Sequence, residues 1–221
     1  MNERWVTLKD GRKVRIKTTS EYMNDFIRNK GKYKLDKNDI GIHYGNLGKA
    51  RDTTYFSINS SNRSTGHFGT GTYFYGKEGD KEAQELPFFS RKDRPRHEID
   101  FSEYDLYKPK DDIEARNLHE GLKAINYGDY DKWSVDLMKH DFKINGVSNE
   151  KVDKAIEKVK QIKKEYNNKH YENAYDKDID SLSTIFMKEL NYNGIDVRHI
   201  REFDNGTYGS VIYDLNKKKR S

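Results

Sequence analysis

A cluster of glycines around a strand-like run is the feature that most constrains this chain. Residues 63–76 read RSTGHFGTGTYFYG, with Gly66, Gly69 and Gly71 before the β-prone run TYFY and Gly76 after it. Glycine loses more entropy on ordering than any other residue and weakens a strand, so a cluster of it needs a backbone reason. The segment therefore predicts a strand that adjoins a tight turn, a bulge or a ligand that approaches the backbone.

The aromatic content allows so polar a chain to form a core. Charged residues make up 36% of the 221 residues and the mean hydropathy is -1.14, yet the chain holds 16 Tyr, 10 Phe and 2 Trp. Aromatic side chains bury more area per residue than aliphatic ones, so we expect a packed protein rather than a disordered one. The absence of cysteine excludes disulfides and thiolate metal sites.

The charge distribution and the first residues bear on location and partners. Residues 1–17 lack the apolar segment of a signal peptide, and no stretch approaches the length of a membrane span, so we expect a cytoplasmic protein. The net charge is +5, part of it in the basic tail 216–221. Such a tail can attract nucleic acid, but acids are interleaved through the rest of the chain, which favours a solvated end.

The first half of the chain has the pattern of strands. Residues 5–17 predict a β-hairpin, in which a three-residue loop at 9–11 sets Val6 opposite Val14. A short amphipathic helix is predicted over 20–29, and strands over 40–45, 53–61 and 72–75. Residues 87–110 hold all three prolines and predict a strand followed by irregular chain.

The second half is dominated by helical periodicity. Ile113, Leu118, Leu122 and Ile125 share one face of a first helix, and a second begins after Ser148 with apolar residues at 152, 156, 159 and 162. A third helix is predicted over 178–194, followed by a hairpin of strands at 195–200 and 208–215. Residues 77–110 and 126–150 contain no motif that we can decode. The order predicts one α+β domain over 1–221, with a mixed, largely antiparallel sheet and a helical insert over about 111–170.

Three common kinds of site find no support in the sequence. The seven histidines lack metal-ligand spacing, so we expect no metal cofactor. The run GHFGTG precedes a strand rather than a helix and lacks the Lys-Ser/Thr of a phosphate loop. There is no Gly-x-Ser-x-Gly elbow of a serine hydrolase.

Two motifs resemble the ADP-ribosyltransferase superfamily, in its His-Tyr-acid class of diphtheria-type toxins and poly(ADP-ribose) polymerases. IHYGN at 42–46 resembles that family's His-Gly-Ser/Thr strand, and GTGTYF at 69–74 its Gly-x-Gly-x-Tyr-Phe strand. The segment 179–215 is similar to phage-encoded and polymorphic-toxin domains of this kind. Two departures are evident: Tyr44 separates His43 from Gly45, and Gly209 stands where the polymerases have their catalytic Glu.

The resemblance implies an ADP-ribosyltransferase core and a mono-ADP-ribosyltransferase that uses NAD as substrate. The acceptor would be a macromolecule of a bacterial host, expected to be a protein, in the host cytoplasm. His43 would orient ribose, Tyr73 would stack on nicotinamide and Asp204 would support the cation, with Glu202 and Asp196 as reserve acids. The implied NAD-binding residues are His43, Tyr44, Gly45, Arg63, His67, Gly69, Gly71 and Tyr73.

Other interpretations stay open on the sequence alone. Each of these residues also has a structural explanation: His43 as a satisfied histidine, Tyr73 as a core aromatic and Asp204 as a turn former. A glycohydrolase would use the same site without an acceptor. The main alternative is a non-enzymatic phage accessory or inhibitor protein that binds a host protein, and nucleic-acid binding is the least favoured.

Overall fold

The fold is described from a computed structural model. It covers residues 4–7, 13–16, 39–44, 64–85, 96–167, 180–204 and 209–219. The predicted helix at 20–29, the predicted strand at 53–61, Gly45 and Arg63 lie outside these residues.

In the part of the chain that the structure describes, eight short strands form three small sheets. The strands are β1 Arg4–Thr7, β2 Lys13–Ile16, β3 Ile40–Tyr44, β4 Ser64–Gly66, β5 Gly69–Phe74, β6 Arg96–Asp100, β7 Gly194–Ile195 and β8 Ser210–Ile212. β1 pairs with β2, β3 pairs with β6, and the remaining four follow the order β4-β5-β8-β7. All of these described pairs are antiparallel, and an isolated parallel bridge joins Tyr107 to Ile195. The predicted α+β class with a largely antiparallel sheet is confirmed.

The register of the first hairpin agrees with the loop-length argument. Val6 lies opposite Val14. At the other end of the chain the predicted antiparallel pairing of two strands is confirmed, but β7 spans only Gly194–Ile195 and not the predicted 195–200. Val197, just after β7, donates its amide to the Ser210 hydroxyl at 2.9 Å, so a side chain takes over from the backbone ladder there.

Five helices are described, and three of them occupy the predicted helical section. They are α1 Lys77–Glu85, α2 Asp112–Tyr127, α3 Trp133–Ile144, α4 Asn149–Asn167 and α5 Leu182–Glu189. The Asp111 carboxylate caps α2 by accepting the amide of Glu114 at 3.0 Å, and Gly128 ends the helix in the left-handed conformation.

Two details of the helix predictions are wrong. The third predicted helix, over 178–194, spans only Leu182–Glu189, because Ser181 is its N-cap and Asp180 therefore precedes the helix. Ile113 was expected on the buried face of α2 but is 66% exposed, since it lies in the first turn beside the cap.

Strand β5 separates two apolar cores. Phe74 packs with Phe101, Ile212 and other residues on one face. Tyr73 packs on the other face, against the larger core that the helices share with β8. Because side chains alternate across a strand, adjacent residues of β5 enter different cores.

Candidate functional site

β8 pairs with one edge of β5. The other edge is covered by two different strands, and a histidine lies between them. β4 pairs with the beginning of β5, where Gly71 lies opposite Ser64. At the end of β5, Ile42 of β3 exchanges two backbone hydrogen bonds of 2.7 Å with Tyr75. Within the described part of the chain no strand pairs with this edge between those points. We call this interval, from Gly71 to Tyr75, the β5 notch.

His43 bridges the β5 notch with its side chain. Its Nδ1 lies 2.7 Å from the carbonyl oxygen of Tyr73, where the next bond of a regular ladder would come from backbone. A carbonyl only accepts, so Nδ1 carries a proton in this contact, and Nε2 is the acceptor when the ring is neutral. The ring lies 5.6 Å from that of Phe74, on the opposite face of β5 from the Tyr73 side chain. The structure thus brings His43 to the backbone of Tyr73 rather than to its ring.

The Tyr73 hydroxyl closes the turn that precedes its own strand. It donates to the carbonyl of Gly69 at 2.7 Å and accepts the amide of Phe68 at 3.0 Å. Burial raises the pKa of this hydroxyl well above its ordinary value, against the lowering effect of the backbone hydrogen bonds. The phenol therefore stays protonated and acts as a fixed bridge within residues 66–73.

Internal packing accounts for the three glycines that precede Tyr73. A Cβ on Gly66 would overlap the Tyr73 ring, and one on Gly71 would come within 2.7 Å of the Ile212 carbonyl oxygen. Gly69 has φ +109°, and a Cβ there would lie 2.5 Å from the Thr184 hydroxyl. A tight turn, the first reason expected from the sequence, is thus present, and the atoms that approach these glycines closely belong to the protein itself.

Asp204 anchors the first turn of α1. Its side chain accepts the amide of Gly76 at 2.5 Å and the amide of Gly79 at 2.9 Å, and the residue is only 1% exposed. A carboxylate at this position satisfies amides that a helix N-terminus leaves unpaired. Burial raises the pKa of the Asp204 carboxyl, and the two amide hydrogen bonds act against that rise.

The two reserve acids have different surroundings. Asp196 is buried, and its oxygens accept Nε and Nη2 of Arg198 at 2.8 Å each. The Arg198 guanidinium also lies 4.1 Å above the Phe101 ring. Burial raises the pKa of Asp196, but the ion pair with Arg198 outweighs it and the net pKa is lowered. Glu202 is exposed and forms an ion pair with Arg116.

Two polar contacts near these residues were not predicted from the sequence. The Tyr44 hydroxyl donates to the carboxylate of Asp80, a buried residue of α1. His67 Nδ1 lies 3.0 Å from Nε2 of His119 on α2. Burial lowers the pKa of both histidines. Asp80 and His119 are 36 and 52 residues from their partners, and no local pattern in the sequence signals either contact.

The described residues contain neither a metal cluster nor a membrane helix. No three His, Asp or Glu among them are placed to hold a metal ion. No described helix combines the length and the apolar character that crossing a membrane requires.

Comparison with known proteins gives no relative. No family model, no curated protein and no solved structure matches this chain.

Proposed function

We propose that the protein is a mono-ADP-ribosyltransferase with an ADP-ribosyltransferase-type sheet core, which binds NAD at the β5 notch. It would modify a macromolecule of a bacterial host. The observation that carries the proposal is the contact of His43 with the Tyr73 carbonyl, which joins two motifs thirty residues apart. β8, from the segment that resembles the family's closing strand, pairs with β5 so that Val211 lies opposite Tyr73. The three motif-bearing strands therefore lie side by side.

The hydrogen bond of His43 Nδ1 fits the role of a ribose ligand. With Nδ1 donating to a carbonyl, the ring is held in one orientation and one tautomer. In the neutral ring Nε2 is an acceptor, the kind of atom to which a ribose hydroxyl donates. Of the predicted site residues, His43 thus has the geometry that best agrees with its predicted role.

The proposed reaction places a demand on a carboxylate. The bond between nicotinamide and C1′ of ribose breaks, and its electron pair leaves with neutral nicotinamide. A lone pair of the acceptor forms the new bond to C1′, and the acceptor releases a proton. Positive charge develops on ribose in the transition state, and a nearby carboxylate stabilises it there.

Asp204 is the predicted acid, but in this arrangement it also has a structural task. Both of its hydrogen bonds go to the α1 turn, so it would support the cation through its field rather than by contact. At the position of the family's Glu, a Cβ on Gly209 would lie 3.7 Å from Tyr73 Cδ1, so this position adjoins the Tyr73 ring. The contact of His43 with Tyr73 and the pairing of β5 with β8 therefore support the proposed function more strongly than the position of Asp204 does.

The test distinguishes the roles of the two ring nitrogens of His43. Asparagine places an amide nitrogen where Nδ1 stands, so His43→Asn keeps the donor to Tyr73 and removes Nε2, whereas His43→Ala removes both. Labelled NAD is incubated with each protein and a bacterial lysate, and nicotinamide release and label on macromolecules are measured. We expect wild-type transfer, and a loss of about 100-fold in His43→Asn with an unchanged melting temperature, a size typical of lost substrate positioning. Wild-type protein that neither binds NAD nor releases nicotinamide would refute the proposal.

One observation favours the alternative of a non-enzymatic binding protein. The Tyr73 hydroxyl and the Asp204 carboxylate, two of the three predicted catalytic groups, both make hydrogen bonds that the fold itself uses. Under this alternative the protein forms a stoichiometric complex with a host protein, and His43→Asn leaves that complex intact. Pull-down from the same lysate with wild-type protein and with His43→Asn distinguishes the two functions.

A further inference from the structure

Helix α3 carries a second apolar stripe on the side that faces solvent. Trp133 is 66% exposed, Leu137 36% and Ile144 67%, and His140 between them is also exposed. The core side of the same helix consists of Val135, Met138 and Phe142, all at most 1% exposed. α3 is therefore apolar on two opposite faces, of which the fold uses one.

The exposed stripe has the spacing of a helix-pairing seam. Positions 133, 137, 140 and 144 follow each other by four, three and four residues. At 100° per residue they fall within a sector of about 60° centred almost opposite the buried face. A 4-3-4 spacing is that of the a and d positions in a coiled coil, so this stripe is shaped to meet another helix.

Two residues of α2, the helix that precedes α3, are also apolar and exposed. Tyr127 is 75% exposed and Ile113 66%. Ile113 is next to Glu114, which accepts a hydrogen bond from Asn145 at the end of α3, so it lies level with Ile144. With roughly 200 Å² for a fully exposed large side chain, the five apolar residues expose on the order of 600 Å². This area is at the upper end of the roughly 300 to 600 Å² apolar patch that a typical monomer exposes, and it approaches the area of about 800 Å² that each partner buries in a stable interface.

The charges beside the stripe are complementary to those of a second copy of α3. Asp136 and Lys143 lie on the same flank of α3, seven residues apart. When two copies of a helix pair antiparallel, the same flank of each copy faces the other. Asp136 would then meet Lys143 of the second copy, and the twofold axis generates the same pair again. In a parallel pair these flanks would not face each other.

We propose that the α3 stripe is a self-association surface and that its occupant is α3 of a second copy of this chain, packed antiparallel. Trp133 covers Ile144 of the other copy at each end, and Leu137 packs beside His140 of the other copy near the twofold axis. The arrangement is an isologous dimer, with α2 and α3 of both chains forming a four-helix layer at its centre.

The first test removes the apolar contacts. Sedimentation velocity of the full chain is measured over the micromolar concentration range for wild type and for Trp133→Ser/Ile144→Ser. Both side chains are exposed, so the variant should keep the wild-type circular dichroism and melting temperature at low concentration. We expect a wild-type dimer whose dissociation constant rises at least 100-fold in the variant. A wild-type monomer at the highest concentration, or a dimer that the double substitution leaves unchanged, would overturn the proposal.

The second test concerns the direction of packing. Asp136→Lys alone sets like charges opposite each other twice, and so does Lys143→Asp alone. We expect either change to weaken the dimer about tenfold, equivalent to about 1.4 kcal/mol. The combined variant Asp136→Lys/Lys143→Asp restores both pairs with reversed polarity and should recover most of the affinity. Failure to recover would rule out the antiparallel arrangement.

Discussion

Replacing Asp204 with alanine should lower the free energy of unfolding by about 2 to 4 kcal/mol. The carboxylate is 1% exposed and accepts the amides of Gly76 and Gly79, both buried, so its removal leaves two donors without an acceptor. A buried donor without a partner costs about 1 to 3 kcal/mol. The removal of a buried negative charge offsets part of this cost.

Asparagine at position 204 should give an intermediate loss, because its single carbonyl oxygen can satisfy only one of the two amides. The difference between wild type and Asp204→Asn should also depend on pH. Burial raises the pKa of Asp204 above 3.8, so the folded protein holds this proton more tightly than the unfolded chain. The wild-type margin over Asp204→Asn should therefore be largest below pH 3.8 and should shrink as the pH rises through the folded pKa.

Urea unfolding followed by circular dichroism measures these losses, with the slope m as a check on two-state behaviour. The matched control is Glu202→Gln, two residues away, whose exposed ion pair with Arg116 should contribute less than about 1 kcal/mol. A loss below about 0.5 kcal/mol for Asp204→Ala, the range of an ordinary surface substitution, would refute the reasoning. NAD turnover lost in Asp204→Asn at a temperature where that variant stays folded would add a catalytic role.

Three further substitutions test contacts around the site. Arg198→Ala should lower the free energy of unfolding by about 3 to 5 kcal/mol, because it leaves the buried Asp196 carboxylate without its cation. Urea unfolding measures this loss, and a value below about 1 kcal/mol would contradict the prediction. Gly66→Ala should lower the free energy of unfolding by about 1 to 3 kcal/mol, because its Cβ would overlap the Tyr73 ring. Thermal unfolding should show a much smaller loss in a Tyr73→Ala background, and equal losses in both backgrounds would contradict the overlap. Burial lowers the pKa of His119, so the neutral ring favours the folded state. The melting temperature should therefore fall as the pH drops through 6.5. If the dependence of melting temperature on pH is unchanged in His119→Gln, this residue is not its cause.

The features predicted correctly from the sequence are those determined by residues close together in the chain. The Val6–Val14 register follows from loop length, and the start of α4 follows from Ser148, whose hydroxyl accepts the amide of Lys151 at 3.3 Å. Both features depend on residues less than ten positions apart. Sequence periodicity is sufficient for such features because it reports local geometry.

Two helices were missed for a physical reason. α3 is apolar on two opposite faces, which cancels the one-sided pattern on which helix prediction depends. α1 contains a glycine and few apolar residues, and its first turn is held by Asp204, 125 residues away along the chain. A pattern search within one window detects neither cause.

The sequence motifs predicted the positions of strands better than they predicted the contacts of the side chains. Residues His43 and Tyr73 do meet, but through an imidazole and a carbonyl, because the strand alternation turns their side chains to different faces of β5. A ligand that approaches the backbone was one of three reasons expected for the glycines before Tyr73, whereas Tyr73, Thr184 and Ile212 are the neighbours that the structure shows there. Such long-range neighbours become visible only after the chain is folded.

The position of β8 between β5 and β7 determines when the protein can complete its fold during synthesis. β8 follows both partners in the chain, and β5 precedes it by more than 130 residues. A nascent chain therefore leaves the ribosome with β5 and β7 unjoined until residues 210–212 emerge, while the local helices α2 to α4 can form earlier. Any activity that depends on the β3-β5-β8 arrangement would thus be withheld until translation has passed β8.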